Sequence, residues 1–277
     1  MPTYRASWPG LNWEGGIDSI AIPVVCVGRS IFKFHLSEED KKKSSTFREL
    51  KGMKKGLEWL AERLRGKRVL WNNDNWAVSL IVQFGSMKAE LHDLACGIVE
   101  LCNMYQIHLK VEWMSRKEKQ IQFCDELSKD FDPSDYKIAT ENFEKLKDRF
   151  GPFRVDVFAS DWSYQMVPFF SKYLCPGSAG VDAFAQDWSF GNLYCHPPIG
   201  QVFRTLRMAE KSGAKGILVI PDWPASINLV GVKMFGERVQ LVDRFVPKFR
   251  CPSWWTNRVF SGDYRFDMLV YRFNFRN

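Results

Sequence analysis

Between Ser44 and Gly66 the chain reads SSTFRELKGMKKGLEWLAERLRG, and Phe47, Leu50, Met53, Leu57, Leu60 and Leu64 recur in it every three or four residues. That spacing gathers the apolar side chains into one stripe of a helix, with Ser and Thr set to cap its start and Gly66 to end it. A stripe this long must be buried, and the flanking text says against what. Before it, Ile20 to Gly28 (IAIPVVCVG) and Ser30 to Leu36 (SIFKFHL) are rich in β-branched and aromatic residues and joined by a short Gly-containing connection, as in a hairpin. Pro23 then belongs at an edge or a bulge. After it, Lys67 to Asn73 (KRVLWNN) reads as a short buried strand. The helix therefore lies on a sheet, and the chain opens as an α/β protein.

Helical patterns follow in WAVSLIVQFG and AELHDLACGIVELCNMYQ, a strand in IHLKVEWM (Ile107 to Met114), and a further helix in KEKQIQFCDELSKD. With a first strand near Pro2 to Ser7, residues 1–130 form a mixed sheet with helices on its faces. Asp and Pro cluster in DFDPSDYK (Asp130 to Lys137), so 131–150 reads as a linker and a connecting helix, Tyr136 to Phe150. Residues 151–277 supply a second, open α/β sheet. Its elements are the strands FRVDVFAS, GVDAFA and GNLYC, the helix Gln201 to Lys211, and the strand AKGILVIPDW. After Gly231, VQLVDRFV and RFDMLVYRFNF alternate enough to add strands of unassigned position. Two cores suit a chain of 277 residues, which is longer than one core usually organises.

No uninterrupted apolar run is long enough to cross a bilayer, and the start, MPTYRASWPGLNWEGG, lacks the layout of a signal peptide. The expectation is an intracellular protein, cytoplasmic or nuclear. The seven cysteines are scattered without a CxxC pair and read as reduced core thiols, and the four histidines form no HxH or HxxxH pair for zinc. A net charge of +7, concentrated in runs such as DKKKSS, ERLRGKR and SRKEK, favours a polyanionic partner, nucleic acid above all.

Against that background three acids stand out. Glu49 lies early in the long helix, Asp74 ends the strand KRVLWNN, and Asp125 lies in the helix after the last strand of the first unit. Hydrolysis of a phosphodiester with two metal ions needs carboxylates around a metal pair about 4 Å apart, to neutralise the attacking and leaving oxygens. Three elements presenting one acid each could supply them. Each acid also has a plainer reading: Glu49 as a capping or solvated helix residue, Asp74 as a turn residue or helix N-cap, and Asp125 as one charge of an amphipathic helix.

The wording of these segments goes further. SSTFRELKGM, LWNNDNWAVSLIVQFGS and VEWMSRKEKQIQFCDELSK together resemble the ribonuclease H region of tyrosine-recombinase retrotransposons of the DIRS and Ngaro kind, over about Tyr4 to Phe131. The resemblance implies a ribonuclease H-like fold in which Glu49, Asp74 and Asp125 correspond to three of four metal-binding carboxylates, with Mg²⁺ as the metal. The fourth is altered. In YRASWPGLNWEGG, Arg5 stands where the family's first aspartate belongs, removing a ligand and repelling Mg²⁺. Glu14 and Asp18 lie nearby in a turn from which neither is expected to replace it.

RVDVFASDWSYQMVPFFSKY, GVDAFAQDWSFGNLYCHPPIGQVFRTLRMA and GAKGILVIPDWP resemble the domain that follows ribonuclease H in these elements, which is similar to phage Dam-type adenine methyltransferases. This implies a degenerate Rossmann-like methyltransferase fold, with Asp156 as a vestigial cofactor-binding acid and Pro197 and Pro198 as the remains of a base-holding loop. His196 and Ile199 replace that loop's hydrogen-bond acceptor and its stacking ring. S-adenosylmethionine is therefore not an expected cofactor, and Asp156 could equally be a strand-end acid capping the next helix.

The expected function is nucleic-acid binding, to RNA/DNA hybrid or duplex, by a retroelement-derived protein. Its ancestral activity is Mg²⁺-dependent cleavage of RNA, impaired by Arg5. The alternatives are an active ribonuclease with a rearranged ligand set and a non-catalytic protein-interaction scaffold. A start at Met1 without a preceding reverse transcriptase suggests a fragment or a copy co-opted by its host.

Overall fold

A computed structural model of the chain describes residues 11–16, 23–27, 30–129, 136–223, 226–250 and 266–276. It divides into two compact units, Met1–Asp130 and Phe131–Asn277. Among the described residues no helix is long and apolar enough to cross a membrane.

In the first unit the elements are β1 (Leu11–Gly16), β2 (Val24–Val27), β3 (Ser30–Lys33), a single turn α1 (Glu38–Lys41) and the long α2 (Ser45–Leu64). There follow β4 (Arg68–Asn73), α3 (Trp76–Phe84), α4 (Ala89–Met104), β5 (His108–Trp113) and α5 (Lys119–Lys129). The sheet runs β3-β2-β1-β4-β5. The β1–β2 and β2–β3 pairs are antiparallel, while β1–β4 and β4–β5 are parallel.

The long helix forms as its text predicts. Ser44 Oγ accepts from the amide of Phe47, and Phe47, Leu50, Met53, Leu57, Leu60 and Leu64 are all buried. The stripe meets the sheet closely at Gly56. A Cβ there would lie 3.1 Å from Val25 Cγ2 and 3.2 Å from Trp71 Cη2, so the absent side chain sets how near α2 lies to β2 and β4. On the other side of β2, Cys26 meets Cys124 of α5 with their sulfurs 3.0 Å apart, and Lys33 Nζ donates to the carbonyl of Leu127. The expectation of buried thiols holds for Cys26, Cys102, Cys124, Cys175 and Cys195; Cys96 is exposed.

One strand differs from its expectation. Pro2 to Ser7 lie outside the described residues, and the strand between β2 and β4 is Leu11–Gly16, text taken above for a turn. Leu-Asn-Trp-Glu alternates with period two, and the glycine pair completes the strand instead of bending it. The hairpin strands are also shorter than expected. Pro23 sits just outside β2, its carbonyl accepting from the amide of Phe34.

The second unit comprises β6 (Lys137–Ile138), α6 (Thr140–Phe150), β7 (Val155–Ala159), β8 (Phe169–Ser171), β9 (Ser178–Val181) and β10 (Asn192–Cys195). After them come α7 (Val202–Lys211), β11 (Lys215–Pro221), α8 (Ile227–Lys233), β12 (Val239–Phe245), β13 (Phe249–Arg250) and β14 (Met268–Asn274). Seven strands form one sheet in the order β12-β14-β11-β10-β7-β8-β9. The chain starts at β7, winds outward through β8 and β9, then returns to build β10 and β11 on the other side, so the topological switch lies between β7 and β10. The two tail strands left unassigned by the sequence close the far edge, β14 antiparallel to both β11 and β12.

One face of this sheet packs Val155, Val157, Leu193 and Leu218 against Val202, Leu206 and Ala209 of α7; the other packs Tyr194, Ile217 and Val219 against Phe143, Leu146 and Phe150 of α6. Two expectations change here, and one strand was not foreseen. Tyr136–Ala139 do not begin a helix, because β6 pairs with β13 and the amide of Ala139 donates to Lys248. Ala183–Ala185 form a 3-10 turn after β9, capped by the Asp182 side chain. The three-residue β8, directly after Pro168, is too short to show a periodicity.

The Gly56 contact is testable. Gly56→Leu should lower unfolding stability by about 1–3 kcal/mol through overpacking against Trp71 and Val25, measured by urea denaturation with tryptophan fluorescence.

Candidate functional site

Asp74 follows β4, whose last residues Trp71, Asn72 and Asn73 are buried. The turn after it is held by the two asparagines that flank Asp74. Asn73 Oδ1 accepts from the amide of Asn75 at 2.9 Å, and its Nδ2 donates to Ser79 Oγ at 3.3 Å. Asn75 caps α3 by accepting from the amide of Ala77, and its Nδ2 donates to Thr46 Oγ1 in the first turn of α2. The capping role open to Asp74 therefore belongs to Asn75, and the Asp74 carboxylate is left for other partners.

Its surroundings are specific. The Asp74 side chain is 4% exposed, and Oδ2 accepts from Nε of Arg116 at 2.7 Å, an arginine 67% exposed. Oδ1 is buried with no hydrogen-bond partner. The indole of Trp113 donates to the Asp74 carbonyl at 3.0 Å. Trp113 and Trp76, the first residue of α3, are themselves 53% and 64% exposed, and Lys117 and Lys119 next to Arg116 are exposed too. The loop thus presents a basic and aromatic rim around a buried carboxylate.

Glu49 lies one helical turn beyond Thr46, on the side of α2 that Asn75 reaches, and is buried. Asp125 lies on α5, which packs against β1 and β2, beside the Cys26–Cys124 contact; its carbonyl accepts from Ser128 Oγ at 2.7 Å. Glu14 stands opposite Asn72 in the parallel register of β1 and β4, in a strand and not a turn. Arg5 and Asp18 lie outside the described residues.

Among the described residues no group of three or more His, Cys, Asp or Glu side chains could hold a metal ion. Asp74 has a buried oxygen to offer, but its other oxygen is occupied by a guanidinium. The described side chains, as arranged, do not fit Mg²⁺. The cation found at Asp74 is Arg116, which sequence reasoning did not single out. Its signal was present in VEWMSR, where the arginine follows the strand adjacent to Asp74.

In the second unit Asp156 is the second residue of β7, opposite Tyr194 of β10, and not at a strand end capping a helix. It is fully buried. Oδ2 accepts from the amide of Gln165 at 3.0 Å, Oδ1 has no partner, and burial raises its pKa to about 7. The Tyr194 hydroxyl is also buried without a partner, and burial raises its pKa as well. His196 follows β10, with its ring edge-on to Tyr136 and Nε2 buried and unpartnered; burial lowers its pKa to about 4, keeping it neutral. Pro197 and Pro198 then lead through a 3-10 turn, Ile199–Gln201, into α7 at the carboxyl end of β10.

No family model matches the chain, and no curated protein matches it. Among solved structures it is similar to LC11-RNase H1, isolated from compost by a metagenomic approach, at 14% identity and a TM-score of 0.36, over 43% of this chain and 91% of that one. The N-terminal RNase H domain of Rv2228c from Mycobacterium tuberculosis aligns at 15% identity and a TM-score of 0.34, over 43% and 92%. RNase H1 from the halophilic archaeon Halobacterium salinarum NRC-1 aligns at 11% and 0.30, over 38% and 83%.

Asp156 and His196 oppose each other in pH dependence. The folded state holds the Asp156 proton up to about pH 7, while the unfolded chain releases it near 3.8, so this group's contribution is lost as pH rises between those values. His196 is neutral when folded down to about pH 4, while the unfolded chain protonates it near 6.5, so its contribution is lost as pH falls through that window. Asp156→Asn should therefore gain stability over the native chain by about 2–4 kcal/mol more at pH 7.5 than at pH 4. It should also expose a loss of stability on acidification that His196→Asn removes. Urea unfolding at the two pH values checks both.

Proposed function

We propose that the first unit is a ribonuclease H-like nucleic-acid-binding domain, of retroelement descent, that engages its ligand through the rim around Asp74 without a metal-dependent step. The single observation that carries this reading is the Arg116–Asp74 ion pair framed by exposed Trp76 and Trp113. A guanidinium anchored by a buried carboxylate is held in place to meet phosphate, and tryptophans beside it can stack on unpaired bases. Glu49, Asp74 and Asp125, on α2, at the end of β4 and on α5, are the ancestral catalytic acids in this proposal. Arg5 at the first acid's position and Arg116 on Asp74 would both act against Mg²⁺ and so against cleavage. The chain's positive charge is consistent with a polyanionic ligand.

The second unit is proposed to be a degenerate methyltransferase-like domain. In support, the segment His196–Pro198 leaves the carboxyl end of a strand flanking the switch point, where open α/β sheets bind ligands. Asp156 is buried and lacks the exposure that cofactor binding would use, and the neutral His196 offers a single ring-nitrogen acceptor in place of the loop's amide or carboxylate.

Fluorescence anisotropy with a labelled RNA/DNA hybrid in the presence of EDTA tests the first unit's role. Binding should persist without divalent metal and weaken steeply with salt, and Trp113→Ala and Trp76→Ala should each weaken it by about 1–3 kcal/mol. Cleavage of the hybrid that requires Mg²⁺ and is lost in Asp74→Asn would favour the active ribonuclease instead. No binding at low salt would favour the scaffold.

A further inference from the structure

The outer edge of β5 has the features of a self-pairing surface, and we infer that two copies of this chain associate there as an antiparallel, two-fold symmetric extension of the first unit's sheet. β5 is the last strand in the order β3-β2-β1-β4-β5, and no described segment pairs with its far side. The amide of His108 donates to Lys67 and that of Met114 to Asn73, so the even-numbered residues bond inward to β4. The amides and carbonyls of Leu109, Val111 and Trp113 therefore face outward. The β4–β5 ladder is regular, with no bulge, and β5 contains no proline, so the edge lacks two devices that commonly block edge pairing.

The text of this edge, His-Leu-Lys-Val-Glu-Trp, is complementary to itself about Val111. An antiparallel second copy centred there places Val111 opposite its own counterpart in a hydrogen-bonded pair, in which outward residues exchange both bonds. In the same register Lys110 faces Glu112 of the partner subunit, and Leu109 faces Trp113 of the partner subunit, so that association here competes with base stacking on Trp113. Lys110 and Glu112 are each about half exposed, 44% and 45%, and pair with each other along the strand surface. Association turns that local pair into two cross-strand pairs related by the two-fold axis.

The flank of the edge is partly apolar. A groove of about 300 Å³ lies beside it, where Val82, Ile98, Val99 and Val111 share the lining with Gln83, Asn103 and Lys110. Val99, at its rim, and Trp113, at the end of the edge, are exposed. An isologous dimer would bring the apolar parts of these surfaces together.

The register makes the test specific. Sedimentation velocity of the full chain should show a concentration-dependent monomer–dimer equilibrium in the micromolar range. Lys110→Glu and Glu112→Lys each set like charges opposite one another, and each should weaken association about tenfold or more while leaving the circular dichroism unchanged. An equimolar mixture of the two variants restores opposite charges at both positions and should dimerise again, as should the double exchange Lys110→Glu with Glu112→Lys. A wild-type chain that stays monomeric would overturn the inference. So would single variants that associate as tightly as wild type, or a mixture no better than its components.

Discussion

The close approach of α2 to the sheet at Gly56 is the constraint on which the first unit depends. With no side chain there, the backbone of the longest helix comes within contact of Trp71 on β4 and Val25 on β2. Trp71 can then be fully buried in the middle of a strand, and the apolar stripe from Phe47 to Leu64 is covered along its length. The same packing fixes where α2 begins relative to the end of β4. Thr46 and Asn75 consequently lie within hydrogen-bonding distance, and Glu49 lies on the side of the helix that faces the Asp74 loop.

That loop is built so that Asp74 is released from structural duty. Asn73 and Asn75 supply the turn and the cap, which in many chains an aspartate would supply itself. A buried carboxylate freed in this way is costly unless a cation answers it, and Arg116 does so from the segment after β5. The arginine remains largely exposed, so one pair both neutralises the interior charge and displays a positive group at the surface.

In the second unit the chemistry runs the other way. The polar groups near the switch point, Asp156, Tyr194 and His196, are drawn into the core, with pKa values shifted toward their neutral forms by burial. A proton-bearing carboxyl and a neutral imidazole are tolerated in an apolar layer where their charged forms are not. Asp156 Oδ1, the Tyr194 hydroxyl and His196 Nε2 lie there buried and without hydrogen-bond partners.

Much of this organisation was legible in the sequence. The helical period from Phe47 to Leu64, the β4 strand, the two helices after it, β5, and the central strands of the second sheet are local patterns, set by residues that neighbour each other along the chain. What escaped was decided by distant partners. Leu11–Gly16 became a strand because β2 and β4 offer it two edges, Lys137–Ile138 because β13 lies beside it, and β14 entered between β11 and β12 although nothing in its text names them. The same division holds for the candidate site. Sequence alone determined that Glu49, Asp74 and Asp125 lie on three elements of one α/β unit, because periodicity assigns residues to elements. Only the tertiary structure decided that Asp74 is answered by Arg116, because an ion pair joins side chains 42 positions apart whose meeting depends on how β4 and β5 stand side by side.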